Sequence, residues 1–309
     1  MSLLINLPDS FQPQSLSNYL KSLDPELHIE IGSENVQNLL AVEFAVDWKN
    51  PAGHLLNYPN LKAILSYGHG VDNLLTESQL PQGIPIVRLK DETMANLMSE
   101  YLLAVVLLQR RQFLEYAKNP EFSEWGTSIY HPGNQIGILG LGYLGQASAK
   151  VFLNMSFYVA GWSRRMKKID GISCFSGTEG FAKMLTQTDY LINLLPNTSL
   201  TQDLLNYKAL STLKRGAYVI NVGRGQTLVD EDLIALLDKG HLSGACLDVF
   251  RTEPLSADHQ FRNHNKILIT PHNSSTTQAE SAATQILENY RRAISGKKLL
   301  NMVDMKHGY

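Results

Sequence analysis

The sequence predicts an α/β protein of two parallel-sheet domains, and three observations support this. Short apolar runs alternate with helical stretches along most of the chain, a glycine-rich turn interrupts the alternation near its middle, and 309 residues exceed what one hydrophobic core usually supports. The first hundred residues place apolar strands at 3–7, 27–31, 41–46, 61–66 and 84–89, the rhythm of βα units in a parallel sheet. Residues 91–111 follow, with Met94, Leu97, Met98, Tyr101, Leu102, Val105 and Val106 at helical spacing behind an acidic first turn, long enough for a helix that bridges two domains. The polar, aromatic-dotted stretch 116–132 has little periodicity and is expected to be a loop or arm leading into a strand at 135–139. After a helix at 146–153 the rhythm resumes, with strands at 157–162, 190–194, 217–222, 244–249 and 267–269. A helix at 230–237 is marked by an acidic start and by Gly240 as its stop. An amphipathic helix at 277–294 and the apolar tail residues Leu299, Leu300 and Val303 close the chain; a last helix that crosses back ends it on the first domain.

Composition narrows the function classes. The chain is 44% hydrophobic and 18% charged, as in soluble globular proteins. A net charge of −2 offers no basic surface for nucleic acid, and there is no acidic tail. Cys174 and Cys246 lie far apart with no CxxC, so neither a disulfide framework nor a metal site is expected. No apolar run reaches membrane-spanning length and the N-terminus lacks a basic n-region, which makes the cytoplasm the expected location and a membrane an unexpected partner.

The glycine-rich turn is a GxGxxG, with Gly140, Gly142 and Gly145 as its glycines. Alone the pattern is weak, but here a strand leads into it and a helix leaves it. Gly140 suits a tight turn, Gly142 a close approach of pyrophosphate to the backbone of Tyr143 and Leu144, and Gly145 close helix-to-strand packing. The free N–H groups of the helix N-terminus then hold the phosphates of a nicotinamide or flavin dinucleotide. The next strand of such a unit usually ends in an acid about 20 residues on, which takes the adenosine ribose hydroxyls. Here that strand ends in Ser163, Arg164 and Arg165. Guanidinium forks pair with phosphate where a carboxylate would repel it, so NADP(H) is expected over NAD(H). The same arginines, beside Lys167 and Lys168, would also read as ordinary surface charge.

In open α/β sheets, ligands bind beyond the carboxyl ends of the strands. Three predicted strand ends carry chemistry: 217–222 leads to Arg224 between two glycines, 244–249 leads to Glu253, and 267–269 leads to His272 behind a proline. An arginine with no bulky neighbour suits a bidentate grip on a carboxylate. A histidine whose far nitrogen meets a carboxylate has its tautomer fixed and its charged form favoured. Taken singly, Arg224 would serve as a solvated loop residue, Glu253 as a helix-start acid and His272 as a satisfied loop histidine. Together, behind a dinucleotide turn, they point to an acid, its orienter and an anion grip.

These features occur in the order found in a known family. GHGVD at 68–72, ANLMSEYLL at 95–103, the GxGxxG, WSRR at 162–165, INLLPNT at 192–198, NVGRG at 221–225, LDVF at 247–250, EPL at 253–255, PH at 271–272, VD at 303–304 and the terminal Gly308 and Tyr309 span nearly the whole chain. In these motifs the sequence resembles the D-isomer-specific 2-hydroxyacid dehydrogenase family, and within it the glyoxylate/hydroxypyruvate reductase A group. The resemblance implies two Rossmann-like or flavodoxin-like parallel-sheet domains with an active-site cleft between them: residues 1–95 with 277–309 as the substrate domain, and 96–276 as the NADP-binding domain that mediates homodimer formation. It also implies that Arg224, Glu253 and His272 are catalytic, that His69 and Gly70 lie in the loop whose N–H groups hold the substrate carboxylate, that Asp248 lies near the nicotinamide carboxamide, and that Leu195, Pro196, Val222 and Gly223 line the cofactor.

Two positions depart from the family pattern. His69 stands where alanine is usual, and Asn273 and Ser274 follow the histidine where an apolar residue is common. These put substrate preference in question, not the reaction class. Trp48 and Tyr67 either wall the small-substrate side or pack in the core. The implied reaction is NADPH-dependent reduction of small 2-keto acids, glyoxylate to glycolate and hydroxypyruvate to glycerate, with His272 as general acid and NADH a less favoured donor. A dinucleotide-sensing protein without catalysis, or a dehydrogenase of another small anion such as formate or phosphite, would use the same fold.

Overall fold

The computed structural model describes residues 1–48, 51–118 and 133–305. The chain forms two compact units, Met1–Met94 with Thr276–Tyr309, and Ala95–Ser275. Among the described residues, no helix is long and apolar enough to cross a membrane.

The first unit begins with strand β1 (Ser2–Asn6), helix α1 (Pro13–Leu23), β2 (Ile29–Ile31), β3 (Val42–Asp47), β4 (Ala63–Ser66), the short helix α2 (Asp72–Leu75) and β5 (Ile86–Arg88). All neighbours pair in parallel, in the order β2-β1-β3-β4-β5. Side chains alternate across the sheet. Leu3, Ile5, Phe44, Val46 and Leu65 pack under Leu16 and Leu20 of α1, while Leu4, Ala45, Ile64 and Ile86 pack on the opposite face with Leu55, Leu61 and Val303. With both faces covered, β1 is buried along its whole length, which is why its middle, Leu3, Leu4 and Ile5, reads as a continuous apolar run.

Helix α3 (Glu92–Arg110) leads into the second unit, followed by α4 (Phe113–Lys118). The segment expected as a loop from 116 therefore starts as helix, and 119–132 lie outside the described residues. The unit continues with β6 (Gln135–Leu139), α5 (Tyr143–Asn154), β7 (Tyr158–Trp162), β8 (Ile172–Phe175), α6 (Gly177–Leu185), β9 (Tyr190–Asn193), α7 (Tyr207–Ser211), β10 (Ala217–Asn221), α8 (Asp230–Asp238), β11 (Leu242–Leu247) and β12 (Ile267–Ile269). The final helix α9 (Ala279–Ile294) belongs to the first unit, where Ala282, Ala283, Ile286 and Tyr290 cover the same sheet face as α1.

The seven strands of the second unit run parallel in the order β12-β11-β10-β9-β6-β7-β8. From β6 the chain steps outward to β7 and β8, then returns to the other side of β6 and steps outward through β9, β10, β11 and β12. This reversal opens a crevice at the carboxyl ends of β6 and β9. Leu102, Val105 and Val106 of α3 pack with Ile138, Ile192 and Ile220 on one face, and Leu233, Leu236 and Leu237 of α8 with Leu191, Val219 and Leu247 on the other.

Three features differ from the sequence expectation. Strand β8 and helices α1 and α6 have no counterpart in it, because Ile172–Phe175 is short and half exposed and the helices are interrupted by polar or glycine residues. Strand β11 starts earlier and stops at Leu247, because its ladder with β12 ends at the Leu247–Ile269 pair. Asp248 and Val249 are thereby released from the strand into the loop. The dinucleotide helix starts at Tyr143, inside the GxGxxG.

Phe44 sits in the central strand of the first unit, fully buried, with its ring edge-on to Tyr290 at 6.0 Å. Phe44→Ala is expected to lower stability by about 3–5 kcal/mol through lost burial and a residual cavity. Urea unfolding followed by circular dichroism measures this, and a loss below about 1 kcal/mol would contradict the packing described.

Candidate active site

The dinucleotide turn joins β6 to α5 at the switch point of the second sheet. Gly140 takes φ +102°, a conformation that L side chains rarely adopt, and a Cβ there would press to 3.2 Å from the Leu194 carbonyl. A Cβ on Gly145 would collide with the Gly140 carbonyl oxygen, so glycine is what lets the helix start this close to the strand. Gly142 is different: a Cβ there meets nothing within 4 Å. It is also the N-cap of α5 and provides no side-chain cap to the first turn, which begins with Tyr143, Leu144 and Gly145. Open space at a glycine that starts a helix without a side-chain cap fits a phosphate.

The basic run follows β7. Ser163 N–H donates to the Phe175 carbonyl and its hydroxyl to the Arg165 carbonyl at 2.8 Å, so Ser163 shapes the turn that displays Arg164 and the exposed Arg165. Lys167 Nζ donates to the Leu141 carbonyl at 2.5 Å, which ties this run to the dinucleotide turn itself.

Arg224, Glu253 and His272 follow β10, β11 and β12, three adjacent strands whose ends are in register through Asn221, Leu247 and Ile269. His272 Nδ1 lies 2.7 Å from Glu253 Oε2, and Glu253 Oε1 accepts the Phe250 N–H at 3.1 Å. The carboxylate is thus fixed to its own loop by one oxygen and faces the imidazole with the other. The Glu253–Pro254 bond is cis.

Sequence reasoning missed the residues that hold these three in place. Asn193 and Asn221 end the neighbouring strands β9 and β10 and are fully buried with Thr227. Asn193 Nδ2 donates to Asn221 Oδ1 and Thr227 Oγ1, while its Oδ1 accepts the Leu195 N–H. Asn221 Oδ1 accepts the Gly223 N–H, and both Asn221 Nδ2 and the Thr227 hydroxyl donate to the Arg224 carbonyl. Leu195, Pro196, Val222 and Gly223 therefore lie on two loops laced together, and a Cβ on Gly223 would come within 2.6 Å of the Leu195 carbonyl oxygen. A Cβ on Gly225 would collide with the Phe250–Arg251 peptide, so the Arg224 loop lies directly against the Glu253 loop. Arg251 adds an ion pair with Asp203 and a hydrogen bond to the Leu228 carbonyl. The available signal was a polar residue closing each of two otherwise apolar strands.

Asp248 is fully buried, and its carboxylate is turned to the histidine loop: Oδ1 accepts the Thr270 hydroxyl at 2.5 Å and the Asn273 N–H at 2.9 Å, and Oδ2 accepts the Ser274 N–H at 3.0 Å. Tyr101 Oη lies 2.7 Å from Thr270 Oγ1 and 3.2 Å from Cys246 Sγ. Burial pushes the Tyr101 phenol above its ordinary range and the Cys246 thiol up to about 11, so both stay protonated at neutral pH. The clamp brackets His272, which sits at φ +54°. Such a left-handed backbone costs a non-glycine residue about 1–2 kcal/mol, and the bonds on both sides hold it there.

The substrate-side candidates lie in the first unit, after β4. Tyr67 is 1% exposed, packs with the core of its unit, stacks edge-on with Phe11 at 6.1 Å, and has its phenol pushed up to about 12 by burial and the nearby Asp91. Trp48 follows β3, half buried, and lies on the Gly68–Gly70 segment: a Cβ on Gly68 would fall 2.7 Å from its Cζ3. His69 Nδ1 lies 3.2 Å from the Leu89 carbonyl oxygen, which orients its ring within the unit, and Ser66 Oγ donates to the Gly70 carbonyl.

Known proteins resemble this chain in sequence and fold. Residues 103–274 match the NAD binding domain of D-isomer specific 2-hydroxyacid dehydrogenases. The glyoxylate/hydroxypyruvate reductase A of Serratia proteamaculans is 40% identical over 274 residues, covering 86% of this chain and 88% of that protein. A D-isomer specific 2-hydroxyacid dehydrogenase from Xanthobacter autotrophicus, solved with NADPH and MES, superposes with a TM-score of 0.94 at 34% identity, covering 100% of this chain and 99% of that one. The NADPH-dependent glyoxylate/hydroxypyruvate reductase of Sinorhizobium meliloti, solved with NADP and sulfate, gives 0.91 at 31% identity over the whole of both chains. By sequence along most of its length and by fold along all of it, this chain belongs to the D-isomer specific 2-hydroxyacid dehydrogenase family of oxidoreductases.

Proposed function

We propose that this protein reduces small 2-keto acids with NADPH, glyoxylate to glycolate and hydroxypyruvate to glycerate, and that His272 is the proton donor. The observation that carries this reading is the 2.7 Å approach of His272 Nδ1 to Glu253 Oε2, on loops that follow adjacent strands, with Arg224 after the next strand. The relative from Serratia is named for both substrates, and the structures from Xanthobacter and Sinorhizobium were solved with NADPH and NADP.

The turn of Gly140, Gly142, Tyr143, Leu144 and Gly145 would hold the pyrophosphate, and Ser163, Arg164 and Arg165 the 2′-phosphate that distinguishes NADPH from NADH. Leu195, Pro196, Val222 and Gly223 would line the nicotinamide half, with Asp248 behind them fixing the histidine turn. When bound, the reduced nicotinamide supplies the hydride that reduces the keto carbon. Arg224 and the N–H groups of His69 and Gly70 take the substrate carboxylate, and Arg224 also stabilises the negative charge developing on the carbonyl oxygen. Glu253 holds the imidazole by Nδ1, so Nε2 is the atom that gives the proton. Trp48 limits the size of the group beyond the keto carbon. A homodimer in the cytoplasm belongs to the same reading.

Initial rates with NADPH and NADH against glyoxylate, hydroxypyruvate, pyruvate and phenylpyruvate test the function directly. NADPH oxidation fastest with the first two acids is expected, and no oxidation with any of them would end the reading. His272→Ala should lower kcat by about 10²-fold or more with NADPH affinity nearly unchanged, and an equal loss of both would contradict a proton-donating role. Replacing Arg164 and Arg165 together by alanine should raise KM for NADPH by about tenfold or more, the size of a lost charge-assisted hydrogen bond, and leave KM for NADH in place. An unchanged NADPH value would remove the basic run from the cofactor site.

A further inference from the structure

Asp47 and His54 form a buried ion pair in the first unit that the chemistry above does not use. Their side chains are 1% and 9% exposed, and His54 Nε2 lies 2.8 Å from Asp47 Oδ1. His54 Nδ1 lies 2.7 Å from the Pro51 carbonyl oxygen. Both ring nitrogens thus face oxygens that only accept, and a neutral imidazole has one N–H for two acceptors. The geometry is satisfied by imidazolium. Asp47 is held in turn by Asn6 Nδ2 from β1 at 3.3 Å, and Glu77, which follows α2, accepts the Gly53 N–H at 2.6 Å.

The position of the pair gives it a task. Asp47 is the last residue of β3, and the next residue is Trp48, whose ring rests on Gly68 at the head of the Gly68–Gly70 segment. His54 opens the 3-10 turn His54–Asn57, so the ion pair joins the end of β3, next to Trp48, to that turn. On the far side, the Trp48 ring meets Phe11 at 6.3 Å, and the Trp48 backbone N–H donates to the Asn6 carbonyl. Only glycine at 68 leaves room for the indole.

We propose that the Asp47–His54 pair is a specificity-determining clasp: it fixes Trp48 against the Gly68–Gly70 loop, keeps the substrate side narrow, and so restricts the enzyme to keto acids with short side chains. Its consequence for substrates rests on the reading of that loop given under Proposed function; the clasp itself does not. The groups facing His54 are Asp47 from β3, the Pro51 carbonyl of its own loop and Glu77 from beyond α2, while the Tyr58 phenol responds to the charge on Asp47. Burial opposes the charge on His54, but the bond to Asp47 and the charges of Asp47 and Glu77 outweigh it, and its pKa is raised above the ordinary 6.5. A raised folded-state value means that the clasp's contribution is complete below about pH 6.5 and is lost as pH rises through the raised value.

The test uses the intact protein. Histidine ¹⁵N spectra of the wild type should show His54 as imidazolium at pH 6. Acrylamide quenching assigned to Trp48 by comparison with Trp48→Phe should increase as His54 deprotonates. His54→Gln, which keeps a donor but cannot be charged, should show the high-pH quenching at every pH. It should also raise the kcat/KM ratio of phenylpyruvate to glyoxylate by about tenfold, the scale on which an apolar pocket discriminates by size, and leave KM for NADPH unchanged. A neutral His54 at pH 6, or a His54→Gln protein with wild-type quenching and wild-type size preference, overturns the proposal. If no keto acid is turned over while Trp48 still responds to His54, the clasp stands and the substrate reading of the loop falls.

Discussion

Everything at the candidate active site depends on three parallel strands, β10, β11 and β12, ending in register. Ladder pairing sets Asn221, Leu247 and Ile269 side by side, so the loops beyond them must run over one another within a few residues. Glycine at 225 lets the Arg224 loop lie against the Phe250–Arg251 peptide, and Glu253, anchored to the Phe250 N–H, reaches His272 from there. The imidazole is placed by backbone register, with side-chain bonds refining the last few ångströms. A parallel sheet buried on both faces suits this task, because packing on each side leaves its strand ends little freedom.

Energetics favour a rigid site over an adaptable one. The left-handed conformation of His272 costs about 1–2 kcal/mol. Hydrogen bonds to a charged group contribute roughly 1.5–3 kcal/mol each, and Asp248 receives three of them from the same turn, so the strained conformer is held with margin. The buried Asn193, Asn221 and Thr227 do the same for the Arg224 loop without any charge. Each polar atom named in that network has a partner, which is what makes it affordable to bury.

The strands with long apolar runs were legible in the sequence, since β1, β9 and β10 are buried on both faces and carry almost nothing else. The GxGxxG, Arg224, Glu253 and His272 were legible because each stands just beyond such a run. What escaped was of two kinds. Strand β8 is short and half exposed at the sheet edge, so no hydrophobic pattern marks it. The supporting polar residues act through contacts between segments distant in sequence, as Tyr101 with Thr270 or Asp47 with Asn6, and no local pattern encodes such a pairing. Burial was likewise illegible at Tyr67: the sequence leaves open whether an aromatic beside the glycine loop is exposed, and the structure packs it, 1% exposed, directly after a core strand.

The most direct measurement of the central claim is a crystal structure of the protein with NADPH and a non-reducible 2-keto acid analogue such as oxamate. His272 Nε2 is expected within about 3 Å of the analogue's carbonyl oxygen, with the Arg224 guanidinium on its carboxylate and Nδ1 still on Glu253. An analogue bound away from His272, or a nicotinamide ring turned from all three side chains, would contradict the assignment of proton donor and anion grip.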